Sequence, residues 1–595
     1  MLKIYYNSIK LVWKSVEAWF FVPTTLLIFL SLEPIISISL VNNLVNSVQK
    51  MLIAGSKGIN LIIVILMIQV ILSITTNVIQ QTQIFLDNKC QIALEKFLNN
   101  RIFKQMTTIP YEQYEGVDYQ NHLDRLGINK GNKFMAPIKS FLDIIRSTIT
   151  FILLFVYLYH LNSLISLLFI SFVPLICINL IIGKKQFYLH VYQSPNARRM
   201  SYLDSLLTSR NTGKELRTFN IGTYFIKSWN KTYDFVNNKV LQLNKNTLLS
   251  NILIIILEGL VFLIISLTSV RLVLNRELSF GSFVALAQST LVLNTTLESI
   301  SNSITTIYTE SFFLSDILEL FRKEKPIHFE NNENFKLTKA KWDSISSNNP
   351  LIEFRHVNFN YPHSNQNVLV DINFKINKGE KCFIVGENGS GKTTLIKCLL
   401  GLYKINSGEI LICGTNINDI ELESLYKFVA VIFQDYIKYN LSLKENIVLN
   451  KKFNRKKFDE LLKQLDLYEL TNKLPDKEDT YLGKMYFEGE DLSGGQWQKI
   501  ALLRSFYHEG HLFIMDEPAA SLDAKMEDLI YSKIKEIKPS ETIIYTSHRL
   551  AFANVADKLI FLKNGKITGI GSHNELMRTN DDYMKMYNIQ VRWYK

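Results

Sequence analysis

Long apolar runs fill the first 310 residues of the chain, and shorter apolar stretches broken by polar residues follow after about residue 350. Runs such as LIIVILMIQVIL have no polar face, which a helix at the surface of a soluble protein would need. About 20 apolar residues are enough for a helix to cross a bilayer. The pattern predicts six membrane spans, near residues 19–41, 59–79, 144–161, 164–182, 249–274 and 280–307. The sixth span is rich in Ser, Thr and Asn.

Lysine and arginine concentrate in two of the five connections between these predicted spans. Eight lie between the second and third spans and eleven between the fourth and fifth, whereas the other connections hold almost none. Because cytoplasmic loops carry the positive excess, we expect both termini and both long connections to face the cytoplasm. This placement explains most of the net charge of +12 and removes the need for a nucleic-acid partner.

The two basic connections show helical periodicity and few turn formers, so we expect them to be cytoplasmic extensions of the flanking helices. A polar stretch, residues 321–349, reads as a linker. The predicted domains are therefore a membrane domain at residues 1–320, the linker, and a second domain at residues 350–595. Five irregularly spaced cysteines do not form a disulfide framework and suit a reducing compartment.

A glycine-rich loop follows the strand-like stretch CFIV and precedes a helix-like stretch. The loop matches the pattern G-x-x-x-x-G-K-[ST], in which backbone N–H groups surround phosphate oxygens at a helix N-terminus. Lys392 is expected to reach the β- and γ-phosphates, and the Thr393 hydroxyl to bind Mg²⁺. The residues assigned to ATP here are Gly386, Glu387, Asn388, Gly389, Ser390, Gly391, Lys392, Thr393 and Thr394.

A second apolar strand, LFIM, ends in the acidic pair Asp516 and Glu517. An aspartate at the end of a strand beside a phosphate loop is suited to hold Mg²⁺. The adjacent glutamate can then orient and deprotonate the attacking water. We therefore predict Asp516 as a metal ligand and Glu517 as the catalytic carboxylate.

The stretch LSGGQ lies between these two motifs and carries a family resemblance. With all three motifs in this order, the chain resembles the ATP-binding cassette (ABC) transporters. The resemblance implies an α/β P-loop NTPase cassette with a helical subdomain, placed after a six-span membrane domain of the exporter type. It also implies further functional positions: Gln434 as the glutamine that senses the γ-phosphate and Mg²⁺, His548 as the switch histidine, Tyr361 as the aromatic that stacks on adenine, and Ser493, Gly494, Gly495, Gln496 and Asp523 as further ATP contacts. A packing role for Tyr361 and a surface role for His548 stay open as alternatives.

In this family an ATP molecule is clamped between the phosphate loop of one cassette and the signature of another. Ser493 and Gly495 are therefore expected to contact ATP held by a second cassette. Glu517, His548 and the signature all match the consensus of a competent site, which favours a homodimer over a heterodimer.

The tips of the two cytoplasmic extensions resemble the segments that couple an exporter's membrane domain to its cassettes. We assign this role to residues 111–123 and 214–220, with an ordinary solvated helix face as the alternative. Within the spans, Glu33 and Glu258 either give a translocation cavity negative character or are satisfied internally.

Two blocks around the nucleotide motifs, VIFQDYIKYNLSLKENI and YLGKMYFEGEDLSGGQWQKIALLRSF, and the stretch LVNNLVNSV resemble the exporters of nisin- and subtilin-type lanthipeptides. Leu482-Gly483-Lys484 departs from the lipid and multidrug exporter pattern, and Trp497 stands where many exporters have a basic residue. The resemblance implies ATP-driven export of a modified ribosomal peptide across the plasma membrane of a Gram-positive bacterium. A separate protease would remove any leader, because the first span begins too early for a peptidase domain. A lanthipeptide modification enzyme complex is a further expected partner.

Three alternatives remain at this point. A multidrug or lipid exporter would have the same architecture, and it is the nearest rival. A nucleotide-gated regulator or channel would turn over ATP without moving a solute. An importer is disfavoured, because importers generally place spans and cassette on separate chains.

Overall fold

The computed structural model describes most of the chain, in two compact units. The described residues are 2–16, 21–54, 59–116, 119–120, 122–123, 127, 129–163, 196–210, 212–322, 335–346, 349–362, 364, 366–485, 488–518, 524–536, 540–550 and 553–594. The first unit comprises Met1–Thr108 and Val117–Glu324, and the second comprises Ile109–Gly116 and Lys325–Lys595. A short piece from the first third of the sequence thus belongs to the second unit.

The first unit is built from long helices. Its helices include α1 (Leu2–Val16), α2 (Phe21–Ala54), α3 (Ile59–Thr108), α5 (Lys130–Leu161), α6 (Gly213–Thr218), α7 (Gly222–Leu274) and α8 (Phe280–Arg322). Among the described residues, five helices are long and apolar enough to cross a membrane: α2, α3, α5, α7 and α8. They coincide with five of the six predicted spans, including the sixth, whereas the predicted span at residues 164–182 lies outside the described residues.

Helices α3 and α7 run far beyond their apolar stretches, as the helical periodicity of the basic connections predicts. The helix α3 has 50 residues and α7 has 53. At 1.5 Å per residue each is about 75 to 80 Å long, more than twice the roughly 30 Å hydrocarbon thickness of a bilayer. The predicted extensions are therefore continuous with the spans.

A polar contact joins α2, α5 and α8 near one end of the unit. The Gly281 N–H donates to Asn46 Oδ1 at 2.9 Å, and Asn46 Nδ2 donates to Asn42 Oδ1 at 2.9 Å. Asn42 Nδ2 in turn donates to the Tyr157 hydroxyl at 3.3 Å. A Cβ atom at position 281 would lie 2.4 Å from the Asn42 carbonyl oxygen, so this helix approach requires glycine.

The second unit contains two sheets. Its strands are β1 (Pro350–Phe359), β2 (Leu369–Asn377), β3 (Lys381–Val385), β4 (Ser407–Ile412), β5 (Thr415–Asn416), β6 (Val429–Ile432), β7 (Leu512–Asp516), β8 (Thr542–Ser547), β9 (Lys558–Lys563) and β10 (Lys566–Gly571). One sheet is antiparallel with the order β2-β1-β4-β5. The other has the order β10-β9-β3-β8-β7-β6, in which every neighbouring pair is parallel except β10 and β9.

The helices of the second unit are mostly short. They are α4 (Tyr111–Glu115), α9 (Lys339–Ser344), α10 (Lys392–Leu399), α11 (Leu422–Tyr426), α12 (Leu443–Val448), α13 (Arg455–Gln464), α14 (Tyr468–Lys473), α15 (Gly494–His508), α16 (Ala524–Glu536), α17 (His573–Thr579) and α18 (Asp581–Tyr594). Part of the predicted linker also packs here: Trp342 of α9 is buried and stacks on Phe428 with 5.1 Å between ring centroids. The domain boundaries at 320 and 350 stay a prediction.

The parallel sheet is buried on both faces, which explains its nearly continuous apolar strands. On β3, Phe383 and Val385 face one hydrophobic core, whereas Cys382 and Ile384 face a second core shared with the antiparallel sheet. Because β3, β8 and β7 are parallel neighbours, the loops after their carboxyl ends meet at one edge. This edge is where open α/β sheets bind ligands, and it carries the residues of the next subsection.

Candidate nucleotide site

The phosphate loop, residues 386–393, connects the end of β3 to the start of α10. Gly391 has a φ of 106°, a left-handed conformation that favours glycine. A Cβ atom at Gly386 would lie 2.2 Å from the Leu562 carbonyl oxygen, so this position also needs glycine. The sequence therefore folds the loop tightly against β9 and leaves the N-terminus of α10 open to an anion.

Lys392 is buried at the first turn of α10 and is held by its own loop. Its Nζ donates to the carbonyl oxygens of Gly386 at 2.9 Å and Glu387 at 3.0 Å. The same Nζ lies 3.4 Å from Glu517 Oε1, with both side chains less than one tenth exposed. The lysine charge is thus fixed at the centre of the loop, where it can bind a phosphate.

The Glu517 carboxylate lies close to the side chains of three other predicted site residues, of which Lys392 is one. Its Oε2 accepts a hydrogen bond from Gln434 Nε2 at 3.1 Å and lies 3.3 Å from His548 Nδ1. Its backbone N–H donates to the Thr546 carbonyl oxygen at 3.2 Å, which joins it to the neighbouring strand β8. The structure therefore brings Lys392, Gln434, Glu517 and His548 together around one carboxylate.

Asp516 is fully buried at the end of β7, and one of its two carboxylate oxygens accepts a hydrogen bond. The Thr546 hydroxyl donates to Oδ1 at 2.6 Å, and no described residue donates to Oδ2 within hydrogen-bond distance. Burial raises the pKa of Asp516 above its usual range, whereas the Thr546 and Thr393 hydroxyls act in the opposite direction. The neighbouring charge of Glu517 raises this pKa further, and that of Lys392 lowers it.

These oxygen donors fit a magnesium ion. Mg²⁺ binds hard oxygen ligands and is usually held by one or two carboxylates together with the phosphates of a nucleotide. Asp516 Oδ2, which has no hydrogen-bond partner among the described residues, and the nearby Thr393 hydroxyl are two oxygen atoms that could bind the ion. The Gln434 side chain lines the same cavity. When bound, the ion would neutralise phosphate charge.

A cavity of about 430 Å³ opens between these groups. Its lining consists of Val368, Asn388, Gly389, Gly391, Lys392, Thr393, Thr394, Gln434, Glu517 and His548. Every lining residue except Val368 is a predicted site residue. The arrangement combines a helix N-terminus, a fixed cation and a carboxylate, which suits the binding and hydrolysis of a nucleoside triphosphate.

Comparisons with known proteins agree with this geometry. Residues 369–520 match a family model described as ABC transporter. The chain is 31% identical over 559 residues to the subtilin transport ATP-binding protein of Bacillus subtilis, covering 93% of this chain and 88% of the relative. The chain belongs to the ABC transporter family. The predicted ATP-hydrolysing, transport-coupled enzyme class is thereby confirmed.

A second relative and a solved structure match a similar share of this ABC transporter chain. The nisin transport ATP-binding protein of Lactococcus lactis is 29% identical over 93% of this chain and 90% of its own length. The structure of a bacterial Atm1-family ABC exporter with ATP bound has a TM-score of 0.74 at 19% identity, over 95% of this chain and 97% of that one. The predicted fold class is therefore confirmed, with five of the six predicted spans found among the described residues. The spans place this ABC transporter in a membrane.

The signature of this ABC transporter lies at the start of α15, away from the lining of the cavity. Ser493 is the N-cap: its hydroxyl accepts from the Gln496 N–H at 3.3 Å, while Gln496 Oε1 accepts from the Ser493 N–H at 2.8 Å. This capping box leaves Ser493 and Gly494 exposed. Ser493, Gly494, Gly495 and Gln496 are thus not brought to the phosphate loop of the same chain.

The remaining predicted ATP residues occupy different places. Tyr361 is half-buried, and its hydroxyl lies 2.9 Å from Thr394 Oγ1. Gly386, Glu387 and Ser390 belong to the phosphate loop without lining the cavity. Asp523 lies outside the described residues. Each of these assignments stays a prediction.

Sequence reasoning missed two residues of the site. Val368 lines the cavity just before β2, but a valine ahead of a strand carries no chemical signal. Thr546 holds Asp516 through its hydroxyl, and its only signal is that it stands two residues before His548 on a buried strand.

The first predicted coupling segment is in part a component of the second unit. Residues Ile109–Gly116 group with the cassette, and the Tyr111 ring meets the Tyr403 ring edge-on at 5.7 Å. Residues 117, 118 and 121 of this predicted segment lie outside the described residues. The second predicted segment, residues 214–220, includes most of α6 and has no buried residue within that helix.

Proposed function

We propose that this ABC transporter exports a ribosomally made, modified peptide of the lanthipeptide class. The observation that carries the proposal is the match over nine tenths of the chain to proteins named for subtilin and nisin transport. The departures from the lipid and multidrug exporter pattern at residues 482–484 and at Trp497 support the same choice.

ATP is proposed to bind in the cavity on the phosphate loop, with its adenine on Tyr361. Lys392 and the N–H groups at the start of α10 hold the phosphates, and Asp516, Thr393 and Gln434 hold Mg²⁺. When the nucleotide binds, the Lys392 ammonium moves from the Glu517 carboxylate to the phosphates. The carboxylate of Glu517 is then able to contact water.

Glu517 is proposed as the catalytic base. Its carboxylate accepts a proton from the water that attacks the γ-phosphorus, while the bond to the β-phosphate oxygen breaks and ADP leaves. Gln434 and His548 lie within 3.3 Å of the Glu517 carboxylate and position it.

The transporter is proposed to act as a homodimer. The signature at the exposed start of α15 does not reach the cavity of its own chain, so a complete site would take Ser493–Gln496 from a second copy. ATP-dependent closure of two cassettes would then drive alternating access of the spans.

We place the protein in the plasma membrane of a Gram-positive bacterium, with both termini and the cassette in the cytoplasm. The distribution of lysine and arginine supports this topology, and the organisms of the two relatives support the source.

The test is the stimulation of ATP hydrolysis by cargo. Purified transporter in nanodiscs is assayed with a leader-bearing lanthipeptide precursor, the same peptide without its leader, membrane lipids and hydrophobic dyes. We expect the leader-bearing peptide to stimulate hydrolysis. Stimulation by lipids or dyes alone would favour the multidrug or lipid exporter instead.

A further inference from the structure

One buried tyrosine of the cassette, Tyr403, contacts Tyr361 of the proposed adenine site and Tyr111 in Ile109–Gly116. Ile109–Gly116, here named the coupling segment, contains the start of the first predicted coupling segment at residues 111–123. Tyr403 follows α10 and is 3% exposed. Its ring lies edge-on to Tyr361, with 5.2 Å between centroids and an interplanar angle of 89°. On another side its ring meets Tyr111, at 5.7 Å and 81°. Both are favourable edge-to-face geometries for aromatic pairs.

Polar contacts tie the same tyrosine to the coupling segment. The Tyr403 hydroxyl donates a hydrogen bond to Glu115 Oε2. Lys397 Nζ lies 5.7 Å from the Tyr403 ring centroid and 5.9 Å from that of Tyr111, so its charge faces both rings. Tyr403 thus holds Ile109–Gly116 through a ring contact and a charge-assisted hydrogen bond.

The other end of this chain of contacts reaches the cavity proposed to hold the nucleotide. The Tyr361 hydroxyl is 2.9 Å from Thr394 Oγ1, and Thr394 both lines the cavity and follows the proposed Mg²⁺ ligand Thr393. A base that stacked on Tyr361 would lie against the ring whose edge contacts Tyr403. A ligand shifts a conformational equilibrium only through contacts that differ between the states.

We propose that Tyr403 is a positioning residue that transmits occupation of the adenine site, through its ring and its hydroxyl bond to Glu115, to the coupling segment Ile109–Gly116. The inference rests on the proposed placement of adenine at Tyr361. The proposal predicts that the coupling segment responds to the base of the nucleotide, and not only to its phosphates. A triphosphate without a base fills the phosphate loop and leaves the segment unchanged.

Hydrogen exchange of the segment's amides measures this response without any cargo. The full-length protein in nanodiscs carries Glu517→Gln to slow hydrolysis, and exchange is compared without ligand, with Mg·ATP and with magnesium tripolyphosphate. We expect ATP to change the exchange rate within residues 109–116 by about fivefold. Tripolyphosphate is expected to leave that rate at its unliganded value.

Variants of Tyr403 then test whether the response of the coupling segment depends on this residue. Tyr403→Phe removes the bond to Glu115 and keeps the ring contacts, so it should reduce the response, and Tyr403→Leu should abolish it. Tyr426→Phe is the matched control, because the Tyr426 hydroxyl donates to the Leu400 carbonyl oxygen at 2.9 Å on the same cassette. This control should keep the full response.

The outcomes separate this proposal from the proposed function. An equal response to ATP and tripolyphosphate, a wild-type response in Tyr403→Phe and Tyr403→Leu, or no response in the parent protein would each overturn it. Fluorescent ATP binding to Tyr361→Leu tests the adenine site by itself, since an unchanged affinity removes the premise. Because no peptide is present, a wrong cargo assignment does not affect the measurement.

Discussion

The cassette and the membrane unit use their hydrophobic residues in opposite ways. In the cassette, apolar side chains of the central strands are buried, and Ile384, Ile514 and Ile544 are fully inaccessible. In the helix α3, large apolar side chains such as Met67 and Ile71 are about three fifths exposed, as is expected where lipid is the solvent. The cassette has an internal core, whereas much of the membrane unit's apolar surface is its exterior.

This difference determines which part of the molecule indicates the chemical function. The cassette core fixes polar groups at one edge of a sheet, so Lys392, Asp516 and Glu517 have defined hydrogen-bond or ion-pair partners. The spans carry mostly interchangeable apolar residues, and they constrain the cargo only weakly. The enzyme class therefore follows from the cassette, and the cargo rests on similarity over the whole chain.

The largest effect is expected from Glu517→Gln in the cassette. Loss of the base should lower the rate of ATP hydrolysis by about 10²-fold or more, because general bases contribute at least that factor. ATP binding should persist, since the lysine and the phosphate loop are intact. Phosphate release and fluorescent ATP binding measure the two properties. Near-normal hydrolysis in this variant would remove Glu517 from the proposed mechanism.

A smaller effect is expected from Lys392→Met, which removes the fixed cation and keeps an unbranched side chain that is one atom shorter. Affinity for ATP should fall by about tenfold to a hundredfold, because a charge-assisted hydrogen bond contributes roughly 1.5–3 kcal/mol. Lys404→Met is the control, since residue 404 follows the same helix and lies outside the cavity lining. Equal affinities of the two variants would contradict the site.

The membrane unit offers a matching test of close packing in Gly281→Ala. The added Cβ would meet the Asn42 carbonyl oxygen at 2.4 Å and the Asn46 side chain at 2.6 Å. Overpacking of this kind typically costs about 1–3 kcal/mol, so we expect a lower unfolding temperature in detergent. Gly259→Ala is the control, because no described residue lies within 4 Å of its Cβ position. Equal unfolding temperatures would contradict the described approach of α2 and α8.

Sequence motifs predicted where the candidate site lies in the fold, because each motif is a local pattern with one structural context. The glycine-rich loop, the acidic pair and the signature all lie where their patterns place them, at the ends of β3 and β7 and at the start of α15. The membrane-spanning parts of the long helices were predictable for a similar reason, since hydropathy indicates them. The helical periodicity of the basic connections predicted that α3 and α7 continue beyond the spans.

Contacts between distant residues were not predictable from the same patterns. Glu115 and Tyr403 are 288 positions apart, and Asn46 and Gly281 are 235 apart. A tyrosine, an asparagine or a glycine carries no signal of its partner in a single sequence. The packing of Trp342 within the predicted linker was missed because the surrounding composition is polar.

The smallest predicted effect concerns Glu353 on the antiparallel sheet. Hydrogen bonds from Arg355 and Lys375, both at 2.8 Å, lower the pKa of Glu353 to about 2. A carboxyl with a lowered pKa stabilises the fold above its unfolded-state pKa, and this contribution is lost as the pH falls toward about 2.

Because both cations are half-exposed or more, the Glu353 contribution should be only about 1 kcal/mol. Glu353→Gln should therefore lower the unfolding temperature at neutral pH and reduce its dependence on pH below about 4.5. Calorimetry of wild type and variant between pH 3 and 7 measures this. Parallel curves over that range would contradict the assigned pairing.

The most direct test of peptide export is ATP-dependent uptake of a leader-bearing lanthipeptide precursor into inside-out vesicles. Wild-type transporter is compared with Glu517→Gln at equal membrane content, with a dye and a labelled lipid as competing cargoes. Peptide export predicts that the wild type accumulates the peptide and that the variant does not. Absence of peptide uptake by the wild type, with ATP hydrolysis that lipids or dyes stimulate, would contradict it.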